Sequence, residues 1–254
     1  MATYKKKGFK PKSKAEEKEI DEQNSTTAEV FSSLDQSASK TEEWVSKNQN
    51  YILGIIGVIA VGVLGYLGYQ QFVLKPKESA AATEMYYPQQ YFSEALESTT
   101  QKDSLFSLAL TGAEGKYGFL DIISEYKGTK TSNLAHYAAG MAYLNMQNYQ
   151  EAISHLEDFS SDDIILGALA KGGIGDAFMQ LEQPNEALSY YEKAIAHGDN
   201  GFTTPRFLHK AGVAALALNQ KKKALGYFKR IKEEFSSATE AANIDAFIGL
   251  SQEP

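Results

Sequence analysis

The chain has 254 residues, 43% hydrophobic and 22% charged, with a formal net charge of −7, which leaves room for one or two domains. The absence of cysteine excludes disulfides, thiolate metal sites and cysteine nucleophiles. A mildly acidic balance argues against nucleic acid as the principal partner, because phosphate binding needs a basic face.

The averages conceal three unlike parts. Residues 1–50 hold nine lysines and nine acidic residues, whereas residues 75–254 hold 16 basic and 23 acidic ones. The first part is therefore neutral and the last carries the whole negative charge. Lys5, Lys6, Lys7, Lys10, Lys12 and Lys14 stand together with no acid among them. Residues 1–42 are poor in branched apolar side chains and cannot offset their ordering entropy by burial, so they are expected to form a disordered, cytosolic tail. Ile20, Val30, Phe31 and Leu34 are the exceptions and mark a short helix that forms on contact. The lysine cluster has three readings: a solvated topology determinant, an anchor to anionic lipid, and a contact with ribosomal RNA.

Residues 43–74 read as a juxtamembrane segment and a transmembrane helix. Between Tyr51 and Tyr69 there is no charged or amide side chain. About 20 residues rising 1.5 Å each cross a hydrocarbon core of about 30 Å. Trp44 and Tyr51 before it, with Tyr66 and Tyr69 at its far end, fit aromatic belts. Five glycines (Gly54, Gly57, Gly62, Gly65, Gly68) would weaken a helix in water but are tolerated in lipid. The preceding 50 residues are too long for the n-region of a cleaved signal, so the segment is expected to remain as an anchor. Close to the span the lysines balance, Lys40 and Lys47 against Lys75 and Lys77. The basic tail then favours a cytoplasmic N-terminus.

Residues 75–131 are expected to form a linker helix and a degenerate repeat. Pro88 either kinks a helix over Ala80–Leu96 or starts a new one, and Gly118–Tyr126 has the pattern of a second hairpin helix. Residues 132–237 contain three copies of one pattern. Gly140, Tyr143, Tyr149, Ala152 and Leu156 form the first, Gly175, Phe178, Ala187 and Tyr191 the second, and Gly212, Ala215, Ala224 and Phe228 the third. Gly and Ala are 12 residues apart in each, and the copies are offset by 35 and 37. This spacing predicts helix hairpins in which the small residue lets the second helix approach. Turns are placed at Gln147–Asn148, Gln183–Pro184 and Asn219–Gln220. Residues 238–254 read as a capping helix and C-terminus.

The copies resemble the tetratricopeptide repeat, with His136, Lys171 and Leu208 in its Trp slot. The fold expected is all-α: one N-terminal transmembrane helix followed by an α-solenoid of tetratricopeptide-type hairpins. A short tail, one span and a repeat domain of this size resemble the YfgM-like family of bacterial inner-membrane proteins, and the stretch GFLDIISEYKGTKTSNLAHYAAGMAYL is similar to the versions found in Bacteroidetes. The resemblance implies a chaperone-like accessory subunit of the Sec translocon in the inner membrane, with the repeats in the periplasm. Its implied partners are translocon subunits, a PpiD-like periplasmic chaperone and exported polypeptide. A scaffold of another envelope or secretion assembly is the alternative.

Carried over by register, first-helix residues line a concave protein-binding groove. They are Tyr137, Met141, Leu144 and Asn145, with Leu134, in the first hairpin. The second supplies Asp176, Met179 and Gln180, with Leu169, and the third supplies Arg206, His209 and Val213, with Leu216. A mixture of Met, Leu and Tyr with a few polar groups suits adaptable binding. No hydrolase, nucleotide-binding or metal-ligand motif is present, so no enzyme activity, cofactor or metal is expected. Asp162–Asp163 reads as a helix N-cap region, and Lys221–Lys223 as a solvated turn.

Overall fold

The computed structural model describes the backbone of residues 14–252 and the side chains of residues 29–30 and 42–252. The lysine cluster as far as Lys12, and the side chains of Ile20, Phe31 and Leu34, lie outside the described residues. The chain divides into two units, Met1–Tyr69 and Gln70–Pro254.

In the first unit, α1 runs from Lys14 to Tyr69. Disorder was expected over residues 1–42 because the tail can bury little, yet a helix satisfies its backbone internally without burying anything. No glycine or proline stands between Ser13 and Leu53, so no residue there breaks the helix. The C-terminal part of α1 is exposed all round, Val58 at 75% and Leu64 at 69%. It is the one helix among the described residues long and apolar enough to cross a membrane; an 18-residue window has mean hydropathy 2.2 and is 0% buried. In hydrocarbon such a surface is at home, and a helix is the form in which a single segment leaves no backbone group unpaired there.

The second unit begins with a π-helical turn, Gln70–Leu74, then α2 (Lys75–Glu84) and α3 (Tyr86–Glu97). Pro88 sits in the first turn of α3, where its missing N–H costs no helical bond, so of the two expectations for it the new helix is observed. α3 packs along α4 (Lys102–Thr111). Buried Phe106, Phe119 and Ile122 form a core with Phe92, whose ring centroid lies 5.3 Å from that of Phe106. The turn after α4 is tight: Gly112 has φ 74°, and a Cβ there would lie 2.1 Å from the Lys116 carbonyl oxygen. α5 (Phe119–Glu125) packs against α6 (Lys130–Asn145), within the stretch expected to be a second hairpin helix.

α6 is also held from α2. The Glu78 carboxylate accepts from Lys130 N at 2.6 Å, Thr131 N at 2.9 Å and the Thr131 hydroxyl at 2.5 Å. A carboxylate at a helix N-terminus satisfies donors that have no helical partner and meets the positive end of the dipole. Partial burial pushes the Glu78 carboxyl up, but the bonds from Thr131 and the Lys130 amide outweigh it and hold it below its ordinary value.

Three hairpins follow: α6 with α7 (Tyr149–Asp158), α8 (Leu166–Gln180) with α9 (Pro184–His197), and α10 (Thr203–Ala217) with α11 (Lys221–Glu234). Each turn repeats one geometry at the expected places. Gln147, Glu182 and Asn219 have φ of 62°, 57° and 57°. The next amide reaches back to a first-helix carbonyl, Asn148 N to Tyr143 O, Gln183 N to Phe178 O and Gln220 N to Ala215 O. That closure satisfies carbonyls left open at a helix C-terminus.

The glycines work somewhat differently from the expectation. A Cβ on Gly140 would meet Leu156 at 2.6 Å, on Gly175 Tyr191 at 2.6 Å, and on Gly212 Phe228 at 2.4 Å. The space therefore accommodates the large side chain one turn beyond the second-helix alanine. Ala152, Ala187 and Ala224 are themselves 0% exposed, so both small residues are needed.

The starts of α8 and α10 are tied alike. Asp163 Oδ1 accepts from Ile165 N and Leu166 N at 2.9 and 2.8 Å, and Asn200 Oδ1 accepts from Phe202 N and Thr203 N at 2.9 and 2.7 Å. Asp163 thus has the capping role expected of the Asp162–Asp163 pair. Lys223 is not simply solvated, since its Nζ lies 2.7 Å from Glu192 on α9. The chain ends with a 3-10 turn (Thr239–Ala241) and α12 (Ile244–Gln252) on α11. The cap was expected from residue 238. Ala242 is extended and Asn243 has φ 64°, which delays the helix to Ile244.

Candidate functional site: a groove along the first helices

The hairpins stack so that α6, α8 and α10 lie in register, and the C-terminal halves of these three helices border a groove of about 590 Å³. Seven of the residues placed there from the sequence line it: Leu144 and Asn145 from α6, Asp176, Met179 and Gln180 from α8, His209 and Val213 from α10. Each face recurs because a repeat-length offset returns the chain to the same position on the next first helix.

Six expected residues lie outside its lining, and of these Leu134, Leu169 and Leu216 pack against the hydrophobic cores. The Tyr137 ring centroid lies 5.2 Å from that of Phe159, the two planes tilted by 48°, and burial pushes its hydroxyl pKa up while the Arg206 charge draws it down. Met141 turns into the α6–α8 contact, its Sδ 3.6 Å from where a Cβ on Gly173 would stand. Arg206 is exposed outside the groove lining. Tyr137, Met141 and Arg206 stand earlier on their helices than the cavity reaches.

The groove has a polar centre. Lys210 Nζ lies 2.6 Å from both Asp176 oxygens, and the Tyr191 hydroxyl donates to Asp176 Oδ1 at 2.8 Å. Burial, then the neighbouring Asp176 charge and hydrogen bond, push the Tyr191 hydroxyl far above its ordinary value, so it remains a neutral donor. Lys210 and Asp176 are 28% and 29% exposed, so salt and solvent screen the pair less than a fully exposed bridge. The carboxylate is already satisfied from inside the protein. The groove therefore offers mainly apolar contacts from Leu144, Met179 and Val213, with amides from Asn145 and Gln180 at equivalent positions one repeat apart.

His209 serves two surfaces. One side faces the groove, and the ring stands edge-on to Phe247 of α12 at 4.7 Å. Burial holds its pKa below the ordinary value, against Glu240, which raises it, and with Lys210, which lowers it further.

Gln147, Tyr149, Tyr191 and Lys210 also line the groove and were not expected from register. Tyr149 and Tyr191 come from second helices, which a first-helix rule omits. Lys210 carried a readable signal, because it follows Asp176 by 34 residues, one repeat, with opposite charge. Second helices are bonded similarly: the Tyr190 hydroxyl donates to Glu157 at 2.5 Å and the Tyr227 hydroxyl donates to Glu192. Burial and the bond to Glu157 push Tyr190 up to about 12. The structure also brings His136 and His155 together, Nδ1 to Nδ1 at 3.3 Å, inside the first hairpin and apart from the groove.

Residues 137–202 and 173–239 match the tetratricopeptide repeat family model. The two matches each take two hairpins and overlap on the middle one. No curated protein and no solved structure matches the chain. The hairpin geometry and the family match define an α-helical protein containing tetratricopeptide repeats, the architecture of a scaffold for protein–protein interaction.

Proposed function

We propose that the chain is a membrane-anchored scaffold that holds segments of other proteins in its repeat groove, acting as a chaperone-like accessory subunit of the Sec export translocon. The N-terminus is cytoplasmic and the repeat unit faces the periplasm of a bacterial inner membrane. Partners on this reading are translocon subunits, a PpiD-like chaperone and exported polypeptide. The observation that carries it is the presence in one chain of an unburied apolar helix and a repeat groove whose only ion pair is closed internally. Such a groove favours apolar and main-chain groups over charged termini, which suits polypeptide in an extended or partly folded state.

The test is a photo-crosslinkable side chain at Met179, in the groove, and at exposed Glu233 as a control, in the full chain with an epitope after Pro254. Protease is added to intact spheroplasts in parallel. Cleavage of the repeat unit, with translocon or chaperone adducts at Met179 alone, supports the reading. Adducts restricted to another envelope assembly move it to a scaffold there. Protection of the repeats until lysis reverses the orientation and sinks the periplasmic role.

A further inference from the structure

A second cavity of about 410 Å³ lies between α7, α8, α9 and the connection over 159–165. Its volume is in the range that holds small ligands or a few residues of peptide, and its lining differs from that of the groove. One wall is apolar, made by Leu156, Phe159, Ala170 and Ile174; the other carries Lys171 and Lys193 beside Tyr190.

Among the described residues, neither lysine has a carboxylate within ion-pair distance. Lys171 Nζ lies 3.2 Å from His197 Nδ1 and 3.4 Å from the Gly167 carbonyl oxygen. Lys193 Nζ stands 4.0 Å from the centre of the Tyr190 ring. The nearby acids are engaged, Glu157 by the Tyr190 hydroxyl and Asp163 by the α8 amides. Burial, and then the Lys193 charge, hold the Lys171 pKa below its ordinary value. The two ammonium groups thus repel across a space that contains no counter-charge of its own beyond Glu157.

We propose that this cavity binds a monocarboxylate with an apolar body, either the free C-terminus of a peptide ending in an aliphatic or aromatic residue or a small apolar carboxylic acid. Within the lining itself, two lysines against Glu157 leave one positive charge over, which one carboxylate neutralises. A phosphate dianion would overshoot it, and the cavity lining contains no guanidinium fork to grip phosphate. The apolar wall gives the rest of the ligand a place out of water. The site belongs to the middle hairpin alone, since the positions equivalent to Lys171 are His136 and Leu208. It is separate from the groove and does not depend on the role proposed for the groove.

The full chain in lipid nanodiscs is titrated calorimetrically with the tripeptide Ala-Ala-Leu, with its C-terminal amide, with hexanoate and with inorganic phosphate. The acid peptide or hexanoate is expected to bind about tenfold or more tighter than the amide. Lys171→Met and Lys193→Met should each weaken that binding about tenfold, while Glu233→Gln, exposed on α11 and outside both cavities, leaves it unchanged. Lys193 is exposed, so its variant reports on the cavity without disturbing the core. Binding of the tripeptide without hexanoate assigns a peptide terminus, and the reverse assigns a free acid. Equal binding of acid and amide, phosphate binding as tightly as either acid, no binding at millimolar concentration, or indifference to both lysine variants overturns the proposal. Groove crosslinking that fails would leave these titrations untouched.

Discussion

Glycine is abundant in both units for opposite reasons. In α1, a Cβ added to Gly54, Gly57, Gly62, Gly65 or Gly68 would meet nothing within 4 Å. In the repeats, a Cβ on Gly140, Gly172, Gly175 or Gly212 would run into Leu156, Phe207, Tyr191 or Phe228 at 1.9–2.6 Å. The repeat glycines are defined by side chains of the same chain. The glycines of the apolar helix are not, since no described side chain comes near them. Identical residues at similar helical spacing thus carry different information, and only the packing separates them.

The sharpest way to break this comparison is to empty the space the repeat glycines accommodate. Phe228→Ala removes a side chain that is 0% exposed and should cost about 3–5 kcal/mol, read as a lowered urea midpoint. A loss below about 1 kcal/mol would mean the third hairpin does not rely on that ring. Filling the space is the next largest effect. Gly212→Ala should cost about 1–3 kcal/mol through crowding of Phe228. Gly65→Ala in the span should leave thermal unfolding of the repeats unchanged. If both variants behaved alike, the contrast between the units would fail.

Glu78→Gln tests the tie between α2 and α6 and should cost about 1 kcal/mol at neutral pH, the usual worth of a helix cap. The sign of the pH dependence follows from the lowered folded pKa of Glu78. A carboxylate favoured by folding stabilises above its ordinary value, and that contribution disappears as pH falls through the lowered value. The difference between wild type and variant in urea should therefore shrink on acidification. A constant difference from neutral to acid would mean the charge is not what holds the tie. The smallest effect runs the other way. Glu182 has φ 57°, where glycine fits without strain, so Glu182→Gly should raise stability by about 0.4–1 kcal/mol, measured as a higher midpoint. A loss would point to a role for the Glu182 side chain that outweighs backbone strain.

Repetition made much of the fold legible. A Gly-to-Ala distance of 12 and offsets of 35 and 37 locate three hairpins, because two helices of fixed pitch joined by one turn geometry admit little variation in length. Of the residues these offsets assign to the groove, seven line the cavity. Tyr137, Met141 and Arg206 stand outside the lining because register states which face a residue occupies, not how far along the helix the open cavity extends, and Leu134, Leu169 and Leu216 are taken up by the cores. The offsets also passed over Tyr191, which reaches the groove from a second helix through its bond to Asp176.

The sequence alone determined the all-α class, the places of the three hairpin turns, and one apolar segment long enough to cross a membrane. Periodicity and unbroken apolarity are local properties, and the chain records them directly. The tertiary structure alone decided that Lys171 and Lys193 face one cavity without an ion-pair partner among the described residues, and that Glu78 reaches the start of α6 from 52 residues away. Those pairings depend on which helices become neighbours, and no composition or spacing within a single helix carries that information.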